Sequence, residues 1–178
     1  MTQSRPYELD LSRKVVNFLT VANVLVGVGI LALFIATIVA EDFAMKALIH
    51  EHGAAHSAES HALIIGMRWI MFLGILAVAL IRVALNRLGA IVDTVRAGDP
   101  FILLNAERIK TIAWTILGLE VLHLIIGLIA RSVSTETHPL NLDWNFNFMR
   151  WLVVLFLFVL ARVFEQGARM REDLQGTV

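Results

Sequence analysis

Four stretches of the chain are apolar over lengths that soluble core elements do not need, and polar segments carrying Gly and Pro separate them. The first, Val15 to Val39, is 25 residues without a charged side chain. At about 1.5 Å per residue, a helix of that length crosses the roughly 30 Å hydrocarbon core of a bilayer. A second span is predicted over about 62–84, interrupted by Arg68, and a third over about 109–130, interrupted by Glu120 and His123. The fourth, about 146–164, has a clean stretch only from Trp151 to Ala161 and reaches spanning length if Arg150 snorkels to the interface. The expected architecture is all-α, a membrane protein in which residues 1–178 form one domain, a bundle of four transmembrane helices.

Between the second and third spans the pattern changes. Leu88, Ile91, Val92 and Val95 recur at i, i+3, i+4 and i+7, with Arg87, Asp93 and Arg96 off that stripe. This predicts an amphipathic helix lying on the cytoplasmic face of the membrane. Gly98 suits its C-terminal stop. Pro100 suits a first helical position with Asp99 as its cap, and Asn105 suits a cap for the helix carrying the third span, with Glu107 in its first turn. Beyond the fourth span the helix is expected to continue, supported by Glu165 and Arg169 at i, i+4.

Composition agrees: 58% of residues are hydrophobic and 17% are charged, against roughly 25% charged in soluble domains. The formal net charge is zero, which argues against direct nucleic-acid binding. With no cysteine, disulfides, thiolate metal sites and Cys nucleophiles are excluded. The first apolar run is longer than the roughly 7–15 residues of a signal-peptide core, so it reads as an uncleaved span. Lys and Arg fix the orientation. Eleven lie before span one, between spans two and three or after span four, and four (Lys46, Arg68, Arg131, Arg150) lie on the other side. Both termini and the central connection are therefore expected in the cytoplasm.

Two separated segments carry a resemblance. Leu85–Glu120 contains Gly98, Pro100, Phe101, Asn105 and Arg108 in a Gly-x-Pro-Phe turn leading into a span, and Arg162–Val178 contains Phe164 and Gly167 followed by a terminal Thr177-Val178. In these features the chain resembles the bacterial membrane family catalogued as domain of unknown function 2975; its first span and histidine-containing loop match only in hydropathy. The resemblance implies a four-helix protein of the bacterial inner membrane with no established activity. Family members are often encoded beside a small helix-turn-helix regulator, which implies a protein partner. On that basis Arg87, Arg96, Asp99, Pro100, Phe101, Asn105 and Arg108 form the candidate cytoplasmic partner surface.

Three other sets of residues invite a chemical reading. The segment HEHGAAHSAESH holds His50, His52, His56 and His61. His52 and His56 would share a face of a helix, as imidazole ligands of a divalent metal can, although the spacing is not that of a zinc protease; a solvated histidine loop is the commoner meaning of such a tract. Within the spans, Glu120, His123, Arg68 and Arg150 form a candidate intramembrane polar cluster. Charge at that depth faces other helices, either as a proton-coupled site or, more often, as an ion pair fixing helix register. The Gly27-Val28-Gly29 run in span one has no strand before it and is no dinucleotide fingerprint. Gly27, Gly29 and Ala32, with Gly118 and Gly127 in span three, are instead candidates for close helix packing.

No nucleotide loop, serine elbow, catalytic carboxylate pair or calcium loop occurs, so an enzyme is not expected and no cofactor is implied beyond the candidate metal. The leading expectation is a membrane sensor or tether. Its partners are the bilayer, a small transcription regulator and a second copy of the chain. The alternative is a small proton- or metal-linked transporter or channel subunit.

Overall fold

The computed structural model describes residues 4–40, 46, 57–134 and 147–176. Among these the chain forms four long helices: α1 (Ser4–Val39), α2 (Ser57–Arg96), α3 (Leu103–Val133) and α4 (Phe148–Gly176). Three of them, α1, α2 and α3, carry segments long and apolar enough to cross a membrane. α4 is not among those three: its run without charge is the short one from Trp151 to Ala161, and Arg162, Glu165, Arg169 and Arg171 follow at close spacing.

The amphipathic stretch predicted between the second and third spans is not a separate element. It is the end of α2, which runs unbroken for 40 residues, about 60 Å at helical rise and twice the hydrocarbon thickness. The weakest helix former in the stretch is Gly89, and a single Gly costs about 1 kcal/mol in a helix. That cost is offset because the missing side chain makes room for the guanidinium of Arg13 from α1.

The chain divides into two compact units. One comprises Met1–Asn23, Ala79–Leu119 and Asn147–Val178, the other Val24–Val78 and Glu120–Phe146. In the first unit the buried apolar side chains are mostly small: Ala106, Ala113, Ala161 and Ala168, with Val16, Ile109 and Val154. Small residues let helix backbones approach closely, which matters where no hydrophobic drive separates protein from lipid. Among the described residues the largest fully buried side chain is polar, Asn105 at 0% exposure. In the second unit the core is Leu63, Ile64, Leu122 and Ala130. A Cβ on Gly66 would come within 2.7 Å of Val133, and one on Gly27 within 2.8 Å of Val78.

The covered face of α1 mixes polar residues (Arg13, Thr20, Asn23, Thr37) with apolar ones. Among the described residues Arg13, Val16, Thr20, Asn23, Gly27, Ile30, Phe34 and Thr37 are covered at alternating spacings of three and four, with Ala22 covered beside Asn23. Outward-facing residues are large and apolar, such as Phe18 and Leu25 at 71% and 66% exposure. Gly29 and Ala32 lie off the covered seam, and a Cβ on Gly29 meets nothing within 4 Å. Of those three small residues in span one, only Gly27 therefore serves packing. On α3, a Cβ on Gly118 would make ordinary 3.4 Å contact with Leu80.

Candidate functional site

The turn from α2 to α3 is built by a Schellman closure. Gly98 has φ of +83°, a left-handed conformation that glycine adopts without a Cβ penalty. Its N–H donates to the Val95 carbonyl (3.1 Å), and the Asp99 N–H donates to the Thr94 carbonyl (3.0 Å). These are the two bonds that satisfy the last carbonyls of such a helix end. Residues 99–102 then run without helix until Leu103, so Pro100 is not the first helical residue and Asp99 is not its cap.

Asn105 does not cap α3 either. It is the third residue of that helix, and its side chain reaches back across the turn. Nδ2 donates to the Thr94 hydroxyl (2.7 Å) and to the Pro100 carbonyl (2.8 Å), while Oδ1 accepts from the Arg108 guanidinium (2.8 Å). Arg108 also donates to the Ala90 carbonyl (3.1 Å). One buried amide thus ties the end of α2, the turn and the first turns of α3 together. Thr94 and Ala90 were not apparent as partners from the sequence; the only signal was that Thr94 precedes Gly98 by one helical turn.

The tail of α4 packs on the same turn. Arg171 is ion-paired with Asp99. Phe101 packs against Phe164 with ring centroids 5.2 Å apart, and a Cβ on Gly167 would lie 3.1 Å from the Phe101 ring. The Gly-x-Pro-Phe turn and the Phe-x-x-Gly tail, more than sixty residues apart in the chain, are two halves of one contact. The N-terminal part of α1 joins them through Arg13–Asp93 (3.2 Å) and through Arg96 with Asp10. Arg87 is exposed on α2, and Phe101 keeps 45% of its surface exposed.

The family described as Protein of unknown function (DUF2975) matches residues 52–178, well over half of the chain. The chain belongs to the DUF2975 family. No curated protein and no solved structure matches it. The DUF2975 match includes both halves of the turn–tail contact and leaves out α1.

The remaining candidates in this DUF2975 protein are divided between the two units. Arg68 donates to the main-chain carbonyl of Thr37, one of the last carbonyls of α1, which have no partner within the helix. The guanidinium therefore closes the α1 C-terminus, where a cation also meets the negative end of the helix dipole. Glu120 and His123 are half-buried on α3 in the same unit as Arg68. Among the described residues the His123 Nε2 has no hydrogen-bond partner. Arg150 is exposed at the start of α4 and belongs to the other unit. His50, His52 and His56 lie outside the described residues, while His61 is exposed on α2; among the described residues no three His, Asp or Glu side chains gather as a metal group.

Proposed function

We propose that this protein is a non-enzymatic, multi-pass protein of the bacterial inner membrane, a sensor or tether that engages a protein partner on its cytoplasmic side. In this reading α4 crosses the membrane as a fourth span, and both termini and the α2–α3 turn lie in the cytoplasm. The distribution of Lys and Arg, eleven against four, supports that orientation. The observation that carries the reading is the junction of turn and tail. Arg171 pairs with Asp99 and Phe164 packs on Phe101, so the segments that would meet a partner form one preformed surface. A preformed surface loses less entropy on binding than a free loop and tail would.

The partner implied by the family resemblance is a small helix-turn-helix regulator. The test is co-expression of the full chain with a small helix-turn-helix regulator of the kind encoded beside family members and co-purification from detergent, repeated with Phe101→Ala and Arg87→Glu. Co-purification that both changes weaken supports the reading. Absence of the regulator from wild-type eluates, or equal recovery with both variants, defeats it.

A further inference from the structure

A groove of about 300 Å³ opens between α3 and α4 in the first unit, at the low end of the range for ligand sites. Its floor is Ala106, Phe158 and Ala161. Its rim is charged: Glu107 and Lys110 from α3, Arg162 and Glu165 from α4. Glu165 is already engaged, accepting from Arg162 (3.1 Å) and from Arg169 (2.8 Å). Glu107 and Lys110 are in no ion pair among the described residues. Four residues past Lys110, Trp114 is 58% exposed and meets Phe158 edge-on at 5.3 Å. A tryptophan beside cations, with an apolar wall running on, is the arrangement found at membrane–water interfaces, and basic pockets between spanning helices hold lipid headgroups there.

The rim carries both signs, which selects among headgroups. We infer that this groove holds one phospholipid of the cytoplasmic leaflet by a phosphoethanolamine headgroup, its phosphate against Lys110 and Arg162 and its ammonium against the Glu107 carboxylate. A purely anionic headgroup would leave Glu107 facing like charge. A choline headgroup has no N–H to donate to it. The acyl chains leave the groove along Trp114 and Phe158. This inference rests on the reading above in that α4 crosses the membrane beside α3 with the α2–α3 turn in the cytoplasm, and reporter fusions after Val178 test that separately.

The experiment is native mass spectrometry of the full chain in detergent with phosphatidylethanolamine, phosphatidylcholine and phosphatidylglycerol of identical acyl chains. Phosphatidylethanolamine should be retained roughly threefold more than phosphatidylcholine, the scale of one exposed ion pair. Glu107→Gln, and independently Glu107→Ala, should bring the two to the same level, and Lys110→Gln should lower retention of all three lipids. Equal retention of the three lipids by the wild type would overturn the inference, as would strongest retention of phosphatidylglycerol. So would an undiminished preference in both Glu107 variants. Displacement of the lipid by soluble phosphoethanolamine at matching concentration would show a small-molecule site and also overturn it. None of these results bears on regulator co-purification, so the two proposals fail separately.

Discussion

Gly167 on α4 lies so close to Phe101 in the turn that a Cβ added to it would sit 3.1 Å from the Phe101 Cδ1. Phe101 is 45% exposed and can give way by a few tenths of an ångström, and alanine gains up to about 1 kcal/mol of helix propensity over glycine. Gly167→Ala is therefore expected to be near neutral. Gly167→Leu should displace the ring, with loss of the Phe101–Phe164 contact, worth about 0.5–1.5 kcal/mol beyond burial. Thermal unfolding of the two variants in detergent checks the order.

Asn105 is the more sensitive position, being fully buried with both ends of its amide occupied. Asn105→Ala leaves the Pro100 carbonyl and an Arg108 N–H without their partner, at about 1–3 kcal/mol for each buried group so exposed to loss. A destabilisation of at least about 2 kcal/mol is expected. Thr94→Val removes the acceptor of one Asn105 N–H together with the donation of the Thr94 hydroxyl to the Ile91 carbonyl (2.7 Å), leaves the Arg108 and Pro100 bonds in place, and should cost less than Asn105→Ala. Denaturant unfolding of the three proteins reads this directly, and equal effects would contradict the network described.

The Asp99–Arg171 pair joins turn to tail, with both side chains a little under half exposed. Its net stabilisation is expected at about 0.2–1 kcal/mol, and salt should weaken it. Asp99→Arg and Arg171→Asp should each loosen the tail, and the doubly exchanged protein should recover most of the loss. Limited proteolysis after α4 has begun to fray, compared across the four proteins of the cycle, measures this.

Acid should act through Glu165. Hydrogen bonds from Arg162 and then Arg169 hold its carboxyl below the usual carboxylate range. A group whose pKa is lowered on folding contributes stability that is fully present above the unfolded value and disappears as pH falls through the folded one. The stability difference between wild type and Glu165→Gln should therefore be constant near neutral pH and shrink below about pH 4.5. Unfolding curves from neutral to acid pH test it; a difference that grows in acid would reverse the sign.

Reporter fusions test the fourth crossing. A fusion after Val178 should report the cytoplasm and one within Ser57–Glu59 the outside. A C-terminus found outside would mean that α4 does not cross.

The sequence by itself determined the helices and the punctuation of the turn. Long apolar runs leave only helix as a way to satisfy backbone polar groups in lipid, which made α1, α2 and α3 legible. Gly98 with Pro100 marked the break because a left-handed residue and a ring that restricts its neighbour stop a helix wherever they occur. The Glu165–Arg169 pair was legible for the same local reason, since residues four apart share a helix face. What only the tertiary structure decided was which faces meet. On a helix apolar all round, hydrophobic pattern does not mark the inward side, so of the α1 seam Gly27 was legible as a small residue while Thr20 and Asn23 were not. The stripe at Leu88–Val95 was read as a separate helix because periodicity registers a face and says nothing of continuity with the span before it. The roles of Asn105, Arg68 and Gly167 were likewise hidden. Each depends on a partner in another helix or across the turn: the Thr94 hydroxyl, the Thr37 carbonyl and the Phe101 ring. Such pairings are fixed by the rotation of each helix about its own axis, which packing sets.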